Sequence, residues 1–224
     1  MGFFAEGLFD CLENLAASLS MKDHPIFLES IQRIRAILGE TGLAFLPQQV
    51  LERLVHSSGD PGLAPLLRFS PDACEQGLAA LRQGAAILTD TAMAAAAVAP
   101  MARRSLGSSV HCVLEWAPEQ APQGSTRTAS GMQKAWQELG MQVPAPIVLV
   151  GSAPTALERL LDQIAAGAAS PSLIIGMPVG FVGVAESKRR LAESHLAQIR
   201  LEGTRGGAGL VAAAVNALLR AAVV

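Results

Sequence analysis

The hydrophobic rhythm of the chain changes near residue 85. Before that point apolar residues recur three or four apart, the spacing of a helix face. Phe4, Leu8, Leu12, Leu15 and Leu19 form the first stripe, which predicts an extra packing helix or a loose arm over residues 1–22. Pro25 opens a second helix with the stripe Phe27, Ile31, Ile34 and Leu38, because proline suits a first helical position. Pro47 opens a third, with Val50, Leu51, Leu54 and Val55 inward and Gly59 as its stop. A fourth runs from 71 to 84. Beyond it the apolar residues gather into short runs at 85–90, 109–115, 146–151, 172–177 and 198–203. Helical patterns occupy 91–98, 130–139, 154–164, 185–196 and 210–219.

Strand, loop and helix in repetition imply a parallel sheet with helices on both faces. Nearly continuous apolar strands suit a sheet covered on both sides. The expected fold class is therefore α/β: a doubly wound parallel sheet of about five strands under an N-terminal helical cover. Residues 23–224 are expected to form one domain. In such sheets ligands bind beyond the C-terminal ends of the strands. The polar and Gly-rich stretches 89–91, 151–155, 176–183 and 203–209 fall there. Several lead directly into a helix, whose free N–H groups and partial positive charge favour anions. Arg127, Lys188 and Arg205 lie in or beside loops of this kind. The pattern predicts a broad rim for a ligand with several carboxylates or phosphates, although a tight turn explains any single glycine equally well.

Composition narrows the classes. Half of the 224 residues are apolar, but aromatics are only 4% and tyrosine is absent. That argues against the stacking platforms of single-stranded nucleic-acid binders. Net charge is −2 with Lys and Arg scattered, so no basic stripe marks DNA or RNA as a partner. Cys11, Cys74 and Cys112 are odd in number and form no CxxC, which argues against a disulfide framework or structural zinc and fits a reducing cytosol. Glu6, Asp10 and Glu13 precede the first lysine, the reverse of a secretory signal. No run reaches the ~20 apolar residues of a membrane helix. A cytoplasmic protein with no membrane partner is expected. Walker A, GxSxG and HExxH patterns are absent, and no GxGxxG follows the first strand.

Of the four histidines, His24 precedes a proline at a helix start and suits a cap. His111 alternates with Val110 and Cys112 and suits a packed strand position, and His195 closes a charged helix and is expected at the surface. His56 differs. At ~100° per residue it falls opposite the stripe of its own helix, in the last turn. The helix C-terminus there favours imidazolium, so a pKa above about 6.5 is expected. On the residues alone, a solvated surface histidine is the better reading.

The segment GSAPTALERLLDQIAAGAASPSLIIGMPVGFVGVAESKRRLA (151–192), followed by RLEGTRGGAGLVAAAVNALL (200–219), resembles the precorrin-8X methylmutase family. The likeness continues upstream in GSTRTASGM, ALRQGAAILTDTAM, RLVHSSGD and IFLESIQRIRAIL, and so spans residues 24 to 220. It implies an isomerase of cobalamin biosynthesis that moves a methyl group from C-11 to C-12, at ring C of precorrin-8X or cobalt-precorrin-8. The product is hydrogenobyrinic acid or its cobalt form. The step implied is an acid–base assisted sigmatropic shift without cofactor or metal catalyst, on a homodimer that binds a corrinoid tetrapyrrole. Carried over motif by motif, the family's catalytic histidine becomes His56 and its substrate-contacting serine becomes Ser30. The matched loops make Asp90, Thr126, Arg127, Ser152, Thr155, Gly180, Lys188, Arg205, Gly206 and Gly207 candidate substrate-binding residues. Arg127, Lys188 and Arg205 would pair with the macrocycle's acetate and propionate groups. Thr89, the Ala94–Ala97 run and Ala208-Gly209 depart from the family pattern, which puts contacts in those loops in doubt. The rival readings are a non-catalytic corrinoid carrier and a flavodoxin-like phosphate or FMN binder.

Overall fold

Parallel strands hidden on both faces are largely apolar, and the short apolar runs of this chain become parallel strands. The computed structural model describes residues 24–223. The helix expected over the first 22 residues, and Cys11 with it, lie outside the described residues. Strands β2 (Ile87–Thr89), β3 (Val110–Cys112), β4 (Ile147–Val150), β5 (Leu173–Gly176) and β6 (Gln198–Leu201) are mutually parallel. A sixth strand, β1 (Leu67–Phe69), pairs antiparallel with β6, Leu67 opposite Leu201 and Phe69 opposite Ile199. The sheet order is β1-β6-β5-β4-β2-β3. All five expected strands are present; β1 corrects the reading that residues before about 80 are helical cover only. Three residues between a proline-rich turn at Pro61–Leu66 and Pro71 are too few to show a period.

Alternate residues of each strand serve opposite faces. Ile147, Leu149, Leu173, Ile175, Ile199 and Leu201 join one core, while Val148, Val150 and Ile174 join the other. The first core lies under helices α1 (Pro25–Leu38), α2 (Phe45–Ser58), α3 (Ala73–Arg82), α4 (Ala92–Arg104) and α8 (Ala208–Ala221). The second lies under α5 (Arg127–Leu139), α6 (Pro154–Ala165) and α7 (Val184–Glu193). Pro47 does not open α2 but occupies its first turn, where a missing N–H costs nothing. Helix α4 runs through Pro100 instead of stopping at Val98. Its buried Ala94, Val98, Met101 and Ala102 sit in the same core as α8, and that packing overrides the broken turn.

The chain reverses its winding between β2 and β4, which are neighbours although β3 intervenes in sequence. The crevice beyond these strand ends is the expected ligand position. Asp90, just past β2, is wholly buried there and its Oδ2 accepts from the N–H groups of Gly151, Ser152 and Ala153 at 3.1, 2.6 and 2.8 Å. One carboxylate thus fixes the loop that enters α6.

Candidate active site

Helix α2 places its last turn by burying the opposite side. Val50, Leu51, Leu54 and Val55 are in the core, and His56 is exposed. Gly59, in the left-handed region at φ 67°, ends the helix and returns its N–H to Val55 O. The imidazole is not loose. Its Nδ1 shares a 2.8 Å hydrogen bond with Ser30 Oγ of α1. Its ring meets Phe27 edge-on at 5.1 Å between centroids. Among the described residues Nε2 has no hydrogen-bond partner.

Partial burial, and then the charge of Arg53 one turn earlier, lower the pKa of His56 from its ordinary value. This corrects the expectation of a raised value. Arg53 lies three residues before His56, hence on the same face. Its charge and desolvation both disfavour the imidazolium. Arg53 also stacks its guanidinium 4.8 Å from the Phe27 centroid. Sequence reasoning missed both Arg53 and Phe27, although the spacing within RLVHSSGD carried the signal for the first.

Just past α2, Asp60 Oδ2 pairs with Arg205 Nη1 at 3.0 Å. Arg205 lies in the loop after β6, so the His56 end of α2 is tied to the C-terminal edge of the sheet. That loop is held from below by Lys188 of α7. Its ammonium, 3% exposed, donates to Gly203 O at 2.8 Å and Arg205 O at 2.6 Å. Burial pushes its pKa down to about 8. The role expected of Lys188, a carboxylate partner in the rim, is not the one its placement gives it: it holds the loop. Asp90 likewise faces backbone N–H groups, and burial pushes its carboxyl up.

Gly206 passes so close to the loop after β5 that a Cβ would sit 1.9 Å from Met177 O. Gly207 N–H donates to Met177 O at 2.9 Å, and Gly180 N–H donates to Thr204 O at 3.1 Å. The two Gly-rich loops are therefore laced together, and Val179, Phe181 and Val182 project from them into solvent, Phe181 at 92% exposure. On the neighbouring edge Thr126 caps α5 and shares a 2.8 Å hydrogen bond with Thr155 at the start of α6. They line a hollow of about 350 Å³ with Ser125 and Arg159, the latter unforeseen from sequence. Arg127 is exposed and donates to Pro118 O.

The candidates thus fall into four groups, with Arg127 apart from them. Ser30 and His56 are in contact. Lys188, Arg205, Gly206, Gly207 and Gly180 belong to the laced loops. Thr126 and Thr155 meet across two helix starts, and Ser152 and Asp90 meet in the crevice. Among the described residues no hydrogen bond joins the threonine pair or Arg127 to His56. The other histidines differ in part from expectation. His24 caps α1, and His195 is exposed. His111 is half-exposed on edge strand β3, 3.6 Å from Glu115, not packed in the core.

The sequence model of the precorrin-8X methylmutase family matches residues 25–221. A cobalt-precorrin-8 methylmutase of Synechocystis is 36% identical over 211 residues, covering 88% of this chain and 95% of the relative. A precorrin-8X methylmutase of Pseudomonas aeruginosa is 41% identical over 201 residues, covering 86% and 93%. The crystal structure of a precorrin-8X methylmutase from Thermus thermophilus superposes with a TM-score of 0.79 at 37% identity, covering 88% of this chain and 95% of that one.

Proposed function

The chain belongs to the precorrin-8X methylmutase family, and from that premise we propose that His56, oriented by Ser30, is the acid–base residue of its methyl shift. As a methylmutase it is an isomerase of cobalamin biosynthesis that catalyses an intramolecular methyl transfer. The bond from C-11 to the methyl carbon breaks and the bond from C-12 forms, so no atom enters or leaves. A proton on the ring-C nitrogen draws electrons from the macrocycle and eases migration of the electron-rich methyl. His56 gives that proton from Nε2 and later takes it back. Such help contributes about 10²- to 10⁴-fold. The observation that supports this reading is the 2.8 Å contact between Ser30 and an exposed, ring-packed His56.

The rest of the rim binds the macrocycle. Arg205 and Arg127 answer its carboxylates, Thr126, Thr155 and Ser152 donate hydroxyl hydrogen bonds, and Gly180, Gly206 and Gly207 shape the laced loops against which it lies. Lys188 and Asp90 serve by holding those loops. The protein works as a homodimer in the cytoplasm; the exposed Val179, Phe181 and Val182 are an apolar surface that pairing would cover, and the buried thiols Cys74 and Cys112 are free. Among the described residues no helix is long and apolar enough to cross a membrane. Incubation with metal-free and with cobalt-loaded precorrin-8 tests the activity. The visible spectrum is expected to change to that of the corrin product with at least one of them. Unchanged spectra with both contradict it.

A further inference from the structure

The end of helix α2 and the loop after β6 meet through one carboxylate. Asp60 directly follows Gly59, the residue that ends the helix carrying His56. Its polar groups are tied separately. The N–H donates to Ser58 Oγ at 3.1 Å, and Ser58 Oγ in turn donates to Leu54 O at 2.8 Å. Oδ1 accepts from Gly62 N–H at 2.9 Å, the turn that an aspartate side chain makes with the backbone two residues on. That leaves Oδ2, which pairs with Arg205 Nη1 at 3.0 Å. The pair is fitted against bare backbone: a Cβ at Gly62 would lie 2.9 Å from Asp60 Oδ1 and 3.1 Å from Arg205 Nη1. Arg205 is thus fixed at both ends. Its own carbonyl and that of Gly203 accept from Lys188 at 2.6 and 2.8 Å, and the carbonyl of Thr204 between them accepts from Gly180 N–H at 3.1 Å. At the far end the guanidinium is held by Asp60, and among the described residues no other hydrogen bond engages it. A guanidinium carries five N–H donors. With Nη1 on Asp60, the edge formed by Nε and Nη2 is open, and that edge takes a carboxylate by two parallel bonds. Arg35 uses the same edge on Glu52 within this chain, at 2.7 and 3.0 Å.

We infer that Asp60 is a positioning residue: it holds the guanidinium of Arg205 so that the edge of Nε and Nη2 receives a carboxylate of the macrocycle, and it ties that edge to the helix end that carries His56. The inference rests on the reading of Arg205 as a substrate ligand given above. An arginine free at its tip loses side-chain freedom when the ligand arrives, whereas one already held does not. Asp60 has an opposite effect as well, because its charge offsets part of the attraction that Arg205 exerts on a carboxylate. That effect is the smaller one. The side chains of Arg205 and Asp60 are 50% and 40% exposed, so solvent and salt screen the charge. The seat itself is made by Gly62 and Ser58 and does not depend on screening. Asp60 therefore helps binding by orientation and touches no reacting atom.

Steady-state kinetics with precorrin-8, in the metal state that the wild type turns over, test this on Asp60→Asn, Arg205→Gln and the two together. Asparagine keeps an acceptor for Gly62 N–H and removes the charge. Asp60→Asn is expected to raise KM about three- to tenfold, as ordering one long side chain on binding requires, with kcat within about twofold of wild type. Arg205→Gln is expected to raise KM at least as much. The double variant is expected to match Arg205→Gln, since Asp60 acts only through the arginine. A KM unchanged or lowered in Asp60→Asn, while Arg205→Gln raises it, overturns the inference and leaves the reading of the rim standing. A fall in kcat at constant KM also overturns it, because that makes the pair a brace for His56. So does a double variant that binds more weakly than Arg205→Gln. An unchanged KM in Arg205→Gln itself overturns the rim role of Arg205 and the inference together.

Discussion

His56 is held by two neighbours of different kinds, and each makes its own demand. The hydroxyl of Ser30 fixes the plane of the imidazole through Nδ1, which aims Nε2 outward. Ser30→Ala removes a hydrogen bond worth about 0.5–1.5 kcal/mol. The variant is expected to lose up to about tenfold in kcat while its thermal midpoint falls by no more than about 2–6 °C, as steady-state assay beside a melting curve checks. Arg53 and desolvation act on the proton itself. With a pKa below the usual value, the free enzyme carries its acid only at the acidic side of neutrality. Since the proposed role requires the protonated form, kcat/KM is expected to fall as pH rises through that lowered pKa. A profile flat from about pH 5 to about pH 8 contradicts the acid role.

The loop between β6 and α7's neighbour α8 shows how an element is positioned by groups that never meet a ligand. Gly206→Ala would drive a Cβ into the Met177 carbonyl. Backbone meets backbone there, so the loop must shift, and a loss of about 1–3 kcal/mol is expected in denaturant unfolding. Lys188 allows a pH test. Its folded pKa of about 8 lies below the unfolded ~10.4. Between those values the unfolded chain holds the proton that the folded one has released, so stability rises with pH across that window. Lys188→Met is expected to abolish that rise, as unfolding curves taken at several pH values check. Elements were legible in the sequence to different depths. The central parallel strands were readable because burial on both faces leaves mostly apolar residues, as in Ile147–Val150, while β3 and β6 also carry His111, Gln198 and Arg200. Strand β1 was not, because three residues carry no period, and α4 was read short because Pro100 is a local stop that only tertiary packing overrides. The site was legible mainly through its motifs. Helical geometry put His56 off the core stripe, but nothing in the spacing of residues 30 and 56 announces their contact, which needs α1 laid across α2.

At the scale of the molecule, three ties converge on the C-terminal edge of the sheet. Asp90 binds the β4 loop across the switch point. Lys188 binds the β6 loop. The pair of Asp60 with Arg205 joins that loop to the end of α2. His56, the proposed acid, is thereby carried by the helical cover and the rim by the sheet, and the Asp60–Arg205 salt bridge spans the two. That division explains why the rim could be sketched from α/β topology while the acid could not. It also separates binding from chemistry: a change at His56 leaves the rim intact. The most direct measurement is therefore turnover of precorrin-8 by His56→Asn beside its affinity for the corrin product. The expected result is wild-type affinity with turnover lowered about 10²- to 10⁴-fold. Turnover at the wild-type rate by a variant that still binds the product would contradict the assignment.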